Sequence, residues 1–97
     1  MSPGSSYVPG LSSRGYELTV ELIYKEIGLL LMARRHELGM TQEDVAEILG
    51  LTRTSIVNIE CGRQRIMLHT IIGIAAILGE DSGQLLSRAI ERVRARN

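Results

Sequence analysis

Apolar residues recur at helical spacing through most of the chain, and glycines interrupt the pattern. From residue 19 onward apolar positions fall three or four residues apart, as at Val20, Ile23 and Ile27, which is the period of an amphipathic helix. Glycines close four such stretches: Gly39, Gly50, Gly62 and Gly79. Since glycine commonly ends helices, the pattern predicts five helices in succession.

Side chains that can cap a helix mark where these helices begin. We expect Thr19 to cap a first helix that ends before Gly39. Two short helices follow, over residues 41–49 and 52–60, and begin with Thr41 and Thr52. The fourth helix is expected over 69–78, and the fifth from Ser82 onward.

The two short helices each have an expected buried side. In the first, the apolar stripe is Val45, Ala46, Ile48 and Leu49; in the second, it is Ile56 and Ile59. The second helix then presents Arg53, Thr54, Val57 and Asn58 outward. The fourth helix is apolar nearly all round, so we expect it to lie centrally in the fold.

Composition supports an all-α fold of one domain. The chain has 97 residues with 44% hydrophobic and only 3% aromatic content, and it has no Phe or Trp. A core of Leu, Ile, Val, Met and Ala suits helices packed on helices. Ser, Gly and Pro dominate the first fifteen residues, so we expect residues 1–17 to form a flexible tail and residues 18–97 to form the domain.

The formal net charge is zero, yet the charges are unevenly placed. Acids exceed bases over residues 17–47 and bases exceed acids over 48–97, so the fold can present a basic face. One cysteine and two histidines are too few for a structural zinc site, and we expect no metal or cofactor. Without a long apolar run, we expect no membrane span and a cytoplasmic location at the nucleoid.

Two short helices joined by a tight turn at Gly50 and Leu51 fit the unit whose second helix enters a DNA major groove. The stretch LGMTQEDVAEILGLTRTSIVNIECGRQR, residues 38–65, resembles the Cro and lambda-type phage repressors, also called the xenobiotic response element family. Flanking helices extend the resemblance from about residue 27 to 86. It implies a five-helix lambda-repressor-like DNA-binding domain.

The resemblance also implies which residues contact DNA. Gln42 matches a glutamine that reaches a phosphate, and Arg63 and Arg65 match loop positions that meet phosphates. Base-reading positions of the second helix, or positions beside them, are occupied by Thr52, Arg53, Thr54, Ser55 and Asn58. These residue types suit base reading, because arginine pairs with guanine and asparagine with adenine. The alternative is that they form only a solvated polar face.

Arg35 and Glu60 match a pair that joins the first helix to the end of the second motif helix in many family members, so the resemblance implies a structural ion pair. Cys61 departs from the family, which usually has a polar residue there. Its thiol could sense redox state, or the change could be neutral. Acidic Glu43, Asp44 and Glu47 on the first motif helix would oppose DNA binding if they faced phosphates.

The sequence thus predicts a double-stranded DNA-binding transcriptional regulator, a repressor that binds an inverted-repeat operator as a homodimer. Phage repressor, restriction-modification controller and autoregulating antitoxin remain open, and so does a protein-binding module whose main partner is a toxin or another protein. No motif of an enzyme is present. We expect the dimer contact on the last helix, or on the first, because both carry more apolar residues than one core needs: Leu29, Leu30, Met32, Leu85, Leu86, Ala89, Ile90 and Val93.

Overall fold

The computed structural model describes residues 13–96 and folds them into five α-helices. In chain order these are α1 (Ser13–Glu37), α2 (Gln42–Leu49), α3 (Arg53–Glu60), α4 (Leu68–Leu78) and α5 (Ser82–Ala95). The predicted all-α, five-helix fold is confirmed over this range. Most of the predicted tail, residues 1–12, lies outside the described residues.

The first helix begins earlier than predicted. It starts at Ser13, so residues 13–17 are helical and Thr19 is not an N-cap. The Thr19 hydroxyl instead donates a hydrogen bond of 2.9 Å to the carbonyl of Gly15, four residues back. Threonine makes that bond inside a helix, whereas a capping threonine accepts from the residues that follow it. The Ser and Gly content of this segment therefore did not prevent helix formation.

Helix α1 is the element on which the others assemble, since it packs against α3, α4 and α5. Ile27 and Leu31, one turn apart, are fully buried in the shared core. Gly28 allows the approach of α3, because a Cβ at this position would overlap the carbonyl oxygen of Ile59. The close contact of the two backbones fixes where α3 sits.

Helix α5 closes the bundle against α1 by apolar contact and by charge. Leu85, Ala89 and Val93 are buried in the chain's own core. Beside them the carboxylate of Glu26, 1% exposed, accepts hydrogen bonds from Arg92 and Arg96. The expectation of surplus apolar surface on α5 was therefore wrong for three of its five residues, because one chain covers them itself. On α1, Leu30 is buried as well.

Two further predictions about burial were wrong. Ile48 of α2 is 61% exposed, while Val45 and Ala46 carry the buried side of that helix. Helix α4 is not central on all sides, since Ile71 and Ile74 are buried but Leu68 and Ile72 face solvent. Within residues 13–96, no helix combines the length and the apolar character needed to cross a membrane.

Candidate nucleic-acid interface

Local hydrogen bonds hold α2 and the turn after it in place. The Thr41 hydroxyl accepts from the backbone N–H of Asp44 at 3.0 Å, and the Asp44 carboxylate accepts from the Thr41 N–H at 2.8 Å. The Thr41 backbone N–H, and after it the Thr41 side chain, hold the pKa of the Asp44 carboxyl below its usual range. At the other end Gly50 adopts φ +66°, the left-handed conformation that suits glycine. The angle between α2 and α3 is thus set by neighbouring residues.

Helix α3 begins with a side-chain cap. The Thr52 hydroxyl oxygen accepts from the backbone N–H of Ser55 at 3.1 Å, and its proton is directed to the Ser55 hydroxyl at 3.1 Å. Both predicted contact residues are therefore engaged in stabilising the helix start. Their exposed hydroxyls still sit at the end of the helix that would enter a groove, where a phosphate is favoured by the helix dipole.

The outward side of α3 carries two polar side chains, those of Thr54 and Asn58, that have no partner among the described residues. Arg53 and Thr54 are exposed, and Val57 and Asn58 are half-buried. Within residues 13–96 the hydroxyl of Thr54 and the amide of Asn58 form no hydrogen bond with the protein. These groups remain available to hydrogen-bond a ligand, which a base edge requires.

Arg53 has one neighbour of opposite charge. Its Nε lies 2.7 Å from Oε1 of Glu43, which is on α2. Both side chains are largely solvent-exposed, so the pair does not make a large contribution to stability. Of the three acids on α2, Glu43 thus faces an arginine and Asp44 serves as a cap, while Glu47 has no ion pair among the described residues.

The side chain of Gln42, expected to reach a phosphate, points into the protein. It is half-buried, and its Nε2 donates to Oε1 of Glu60 at 3.1 Å. Glu60 also accepts two hydrogen bonds from Arg35, from Nε to Oε2 at 2.8 Å and from Nη2 to Oε1 at 3.0 Å. Arg35 further donates to the carbonyl of Met40. This network ties together α1, the start of α2 and the end of α3, and it directs the Gln42 amide inward.

Arg63 and Arg65 lie in the loop between α3 and α4, and a basic cavity lies beside them. The cavity measures about 530 Å³ and is lined by residues of this loop and of α1. Lys25 of α1 also lines it, and none of these three cations has an ion pair within residues 13–96. Gly62 with φ +73° brings the loop against the backbone of Lys25. Three cations thus lie next to the end of α3, and Glu21 is the acid that lines the cavity with them.

Lys25 was missed by sequence reasoning, because it lies far along the chain from the loop that it joins. The resemblance covers residues from about 27 onward, so Lys25 stands just outside it. The contact between Gly62 and α1, together with the cavity that all three cations line, groups Lys25 with Arg63 and Arg65. The grouping depends on the three-dimensional fold, and no pattern in the sequence near Lys25 indicates it.

Comparison with known proteins assigns the chain to a family. The sequence model of the helix-turn-helix family HTH_3 matches residues 30–85. An uncharacterised HTH-type transcriptional regulator from Methanothermobacter thermautotrophicus is 42% identical over 52 residues, which cover 54% of this chain and 75% of the relative. The chain belongs to the Cro/C1-type helix-turn-helix family of DNA-binding transcriptional regulators.

Solved structures agree with this fold. The restriction-modification controller protein C.AhdI from Aeromonas hydrophila is 27% identical and aligns with a TM-score of 0.57 over 64% of this chain and 94% of its own. The clp gene regulator ClgR from Corynebacterium glutamicum aligns with a TM-score of 0.68 at 20% identity, over 77% of this chain and 80% of its own. The second similarity supports the fold alone.

Proposed function

We propose that the protein is a repressor that binds an inverted-repeat operator in double-stranded DNA as a homodimer. The observation that carries this proposal is the outward side of α3, where Arg53, Thr54 and Asn58 present polar groups beside the cations of the following loop. Base edges and phosphates are the ligands that match these groups. A repressor of this kind works at the nucleoid in the cytoplasm, without cofactor, metal or catalytic step.

Each predicted contact residue has a role in this proposal. Arg53, Thr54 and Asn58 read bases, and Thr52 and Ser55 meet the phosphate at the start of α3. Arg63 and Arg65 bind phosphates on the flank, and we add Lys25 to them. Because its amide is held by Glu60, Gln42 contacts a phosphate only through its backbone N–H, or after the amide leaves the carboxylate.

A dimer is proposed because one recognition helix reads only about four or five base pairs, which is too few to define a site in a genome. We propose α4, rather than α5, as the dimer surface. Met67, Leu68 and Ile72 are 67%, 71% and 56% exposed, whereas only Ile90 is exposed among the apolar residues expected on α5. Helix α4 contains no Asp, Glu, Lys or Arg, so two copies can meet without repulsion between such side chains.

Three biological settings fit this function: a phage repressor, a restriction-modification controller and an antitoxin that regulates its own operon. The similarity to C.AhdI, itself a restriction-modification controller, supports the second setting. The exposed apolar surface on α4 also supports the alternative of a protein-binding module, in which a different protein covers Leu68 and Ile72.

The test is DNA selection from a randomised double-stranded pool, followed by mobility shifts on the selected sequence and on the DNA beside the protein's own gene. We expect a motif with two-fold symmetry and a retarded species that competing non-specific DNA does not remove. A pool that yields no motif would overturn the proposal. In that case capture of a partner encoded by the neighbouring gene would support the protein-binding module.

A further inference from the structure

The ion pair between Arg53 and Glu43 lies on the surface that we propose to meet DNA. Arg53 is the first residue of α3, and Glu43 lies in the first turn of α2. The closest approach is 2.7 Å, from Arg53 Nε to Glu43 Oε1. The side chains are 62% and 68% exposed, respectively, so the pair is open to a ligand rather than part of the core.

The contact uses the inner nitrogen of the guanidinium. Within the described residues Arg53 donates no hydrogen bond from Nε, Nη1 or Nη2, so Glu43 holds the guanidinium by its charge, closest to Nε. The outer edge of the guanidinium, with its two parallel donors, is therefore free. Guanine presents two acceptors in the major groove, O6 and N7, which an arginine can bind with two such donors at once.

We propose that Glu43 is a positioning residue, which holds Arg53 from its inner side so that Nη1 and Nη2 meet guanine end-on. This inference rests on the proposed function and names guanine as the base that Arg53 selects. A free arginine side chain has many rotamers, and ordering it on a base costs conformational entropy. A carboxylate anchored on the neighbouring helix reduces that cost, because α2 and α3 are held together by caps and by the turn at Gly50.

The negative charge of Glu43 is expected to have opposite effects on DNA affinity and on base specificity. A carboxylate on a DNA-facing surface repels phosphates, so it weakens binding to every sequence. In this proposal its contribution is to discrimination between bases. Glu47, one turn further along α2, has the same charge, is exposed and has no ion pair in the described part of the chain. It provides a matched control that has the repulsion without the contact to Arg53.

The experiment compares four proteins by DNA selection and by competition binding: the parent, R53A, E43Q and E47Q. We expect R53A to lose the guanine preference at one position per half-site, by a factor between about 5 and 150. E43Q should weaken the same preference about two- to fivefold. Both E43Q and E47Q should bind non-specific DNA slightly more tightly, and E47Q should keep the full guanine preference.

A double-mutant cycle checks that Glu43 acts through Arg53. E43Q should have no further effect on base preference in the R53A background. Thermal melts of all variants verify that each is folded. Equal base preferences in E43Q and E47Q would overturn this inference while leaving the proposed function intact. A parent protein that selects no motif would overturn both, and loss of guanine preference in E43Q even without Arg53 would overturn the positioning role.

Discussion

Arg35 and Glu60 form a two-point ion pair that joins α1 to the end of α3. Two nitrogens of Arg35 meet the two oxygens of Glu60 at 2.8 Å and 3.0 Å, and both residues are buried. The hydrogen bond to Glu60 raises the pKa of Arg35, so the guanidinium keeps its charge. The pair connects the element at the centre of the bundle with the helix proposed to read DNA.

Removing one partner of this pair should lower the free energy of unfolding of the domain. R35A leaves the Glu60 carboxylate buried with Gln42 as its one remaining side-chain partner among residues 13–96, which should cost about 3 to 5 kcal/mol of the free energy of unfolding. Urea denaturation of R35A and of the parent measures this. E60Q should also be destabilised. If E60Q instead melts like the parent but no longer binds DNA, Glu60 is a binding residue and the structural assignment is wrong.

Loss of the Glu26 carboxylate should destabilise the fold less than loss of the two arginines that pair with it. Glu26 is buried, while Arg92 and Arg96 are 53% and 42% exposed. In E26Q the arginines can turn to solvent, so the loss of stability should be small. The double variant R92A/R96A strands a buried carboxylate and should cost about 3 to 5 kcal/mol. Equal destabilisation of E26Q and R92A/R96A in urea would contradict this asymmetry.

Glu26 should also contribute to stability in a pH-dependent way. Burial raises its pKa, but the hydrogen bonds and charges of Arg92 and Arg96 outweigh burial, so its pKa lies below the usual glutamate range. A carboxyl group whose pKa is lower in the folded state stabilises the fold above its unfolded pKa, and that contribution is lost as pH falls through the folded pKa. The free energy of unfolding of the parent should therefore fall more steeply than that of E26Q as the pH drops below the ordinary glutamate pKa. A pH-independent difference would exclude this role.

Interactions between residues close together in the sequence could be predicted, and those between distant residues could not. Thr41 and Thr52 cap their helices through residues three positions ahead, so a short sequence pattern contains the whole interaction. Glu26 meets Arg92 across 66 positions, and nothing near either residue marks the contact. Helical periodicity places Ile48 and Ile72 on apolar stripes but does not show what covers a stripe, and both are exposed.

Phosphate contacts should be separable from base contacts by their salt dependence. R63A, R65A and K25A should each weaken binding about equally for all sequences and reduce the slope of log affinity against log salt by about 0.9. R94A is the control, since Arg94 is an exposed arginine on α5 whose ion pair within residues 13–96 is with Glu91, three residues away. Fluorescence anisotropy across a salt series measures the slopes. A loss confined to the selected site would assign the residue to base reading instead.

The proposed dimer surface on α4 can be tested against the alternative on α5. A two-fold interface uses the same patch on both subunits, so one substitution acts twice. Burying a leucine is worth about 1.5 to 3 kcal/mol, and L68E should therefore shift the protein to monomer at micromolar concentration, whereas I90E should not. In L68E binding to a half-site should survive while binding to the full inverted repeat collapses, because only the linkage between recognition helices is lost. Light scattering that shows monomers for I90E and dimers for L68E would place the interface on α5. A parent protein that remains monomeric at high micromolar concentration and on its operator would rule out the dimer.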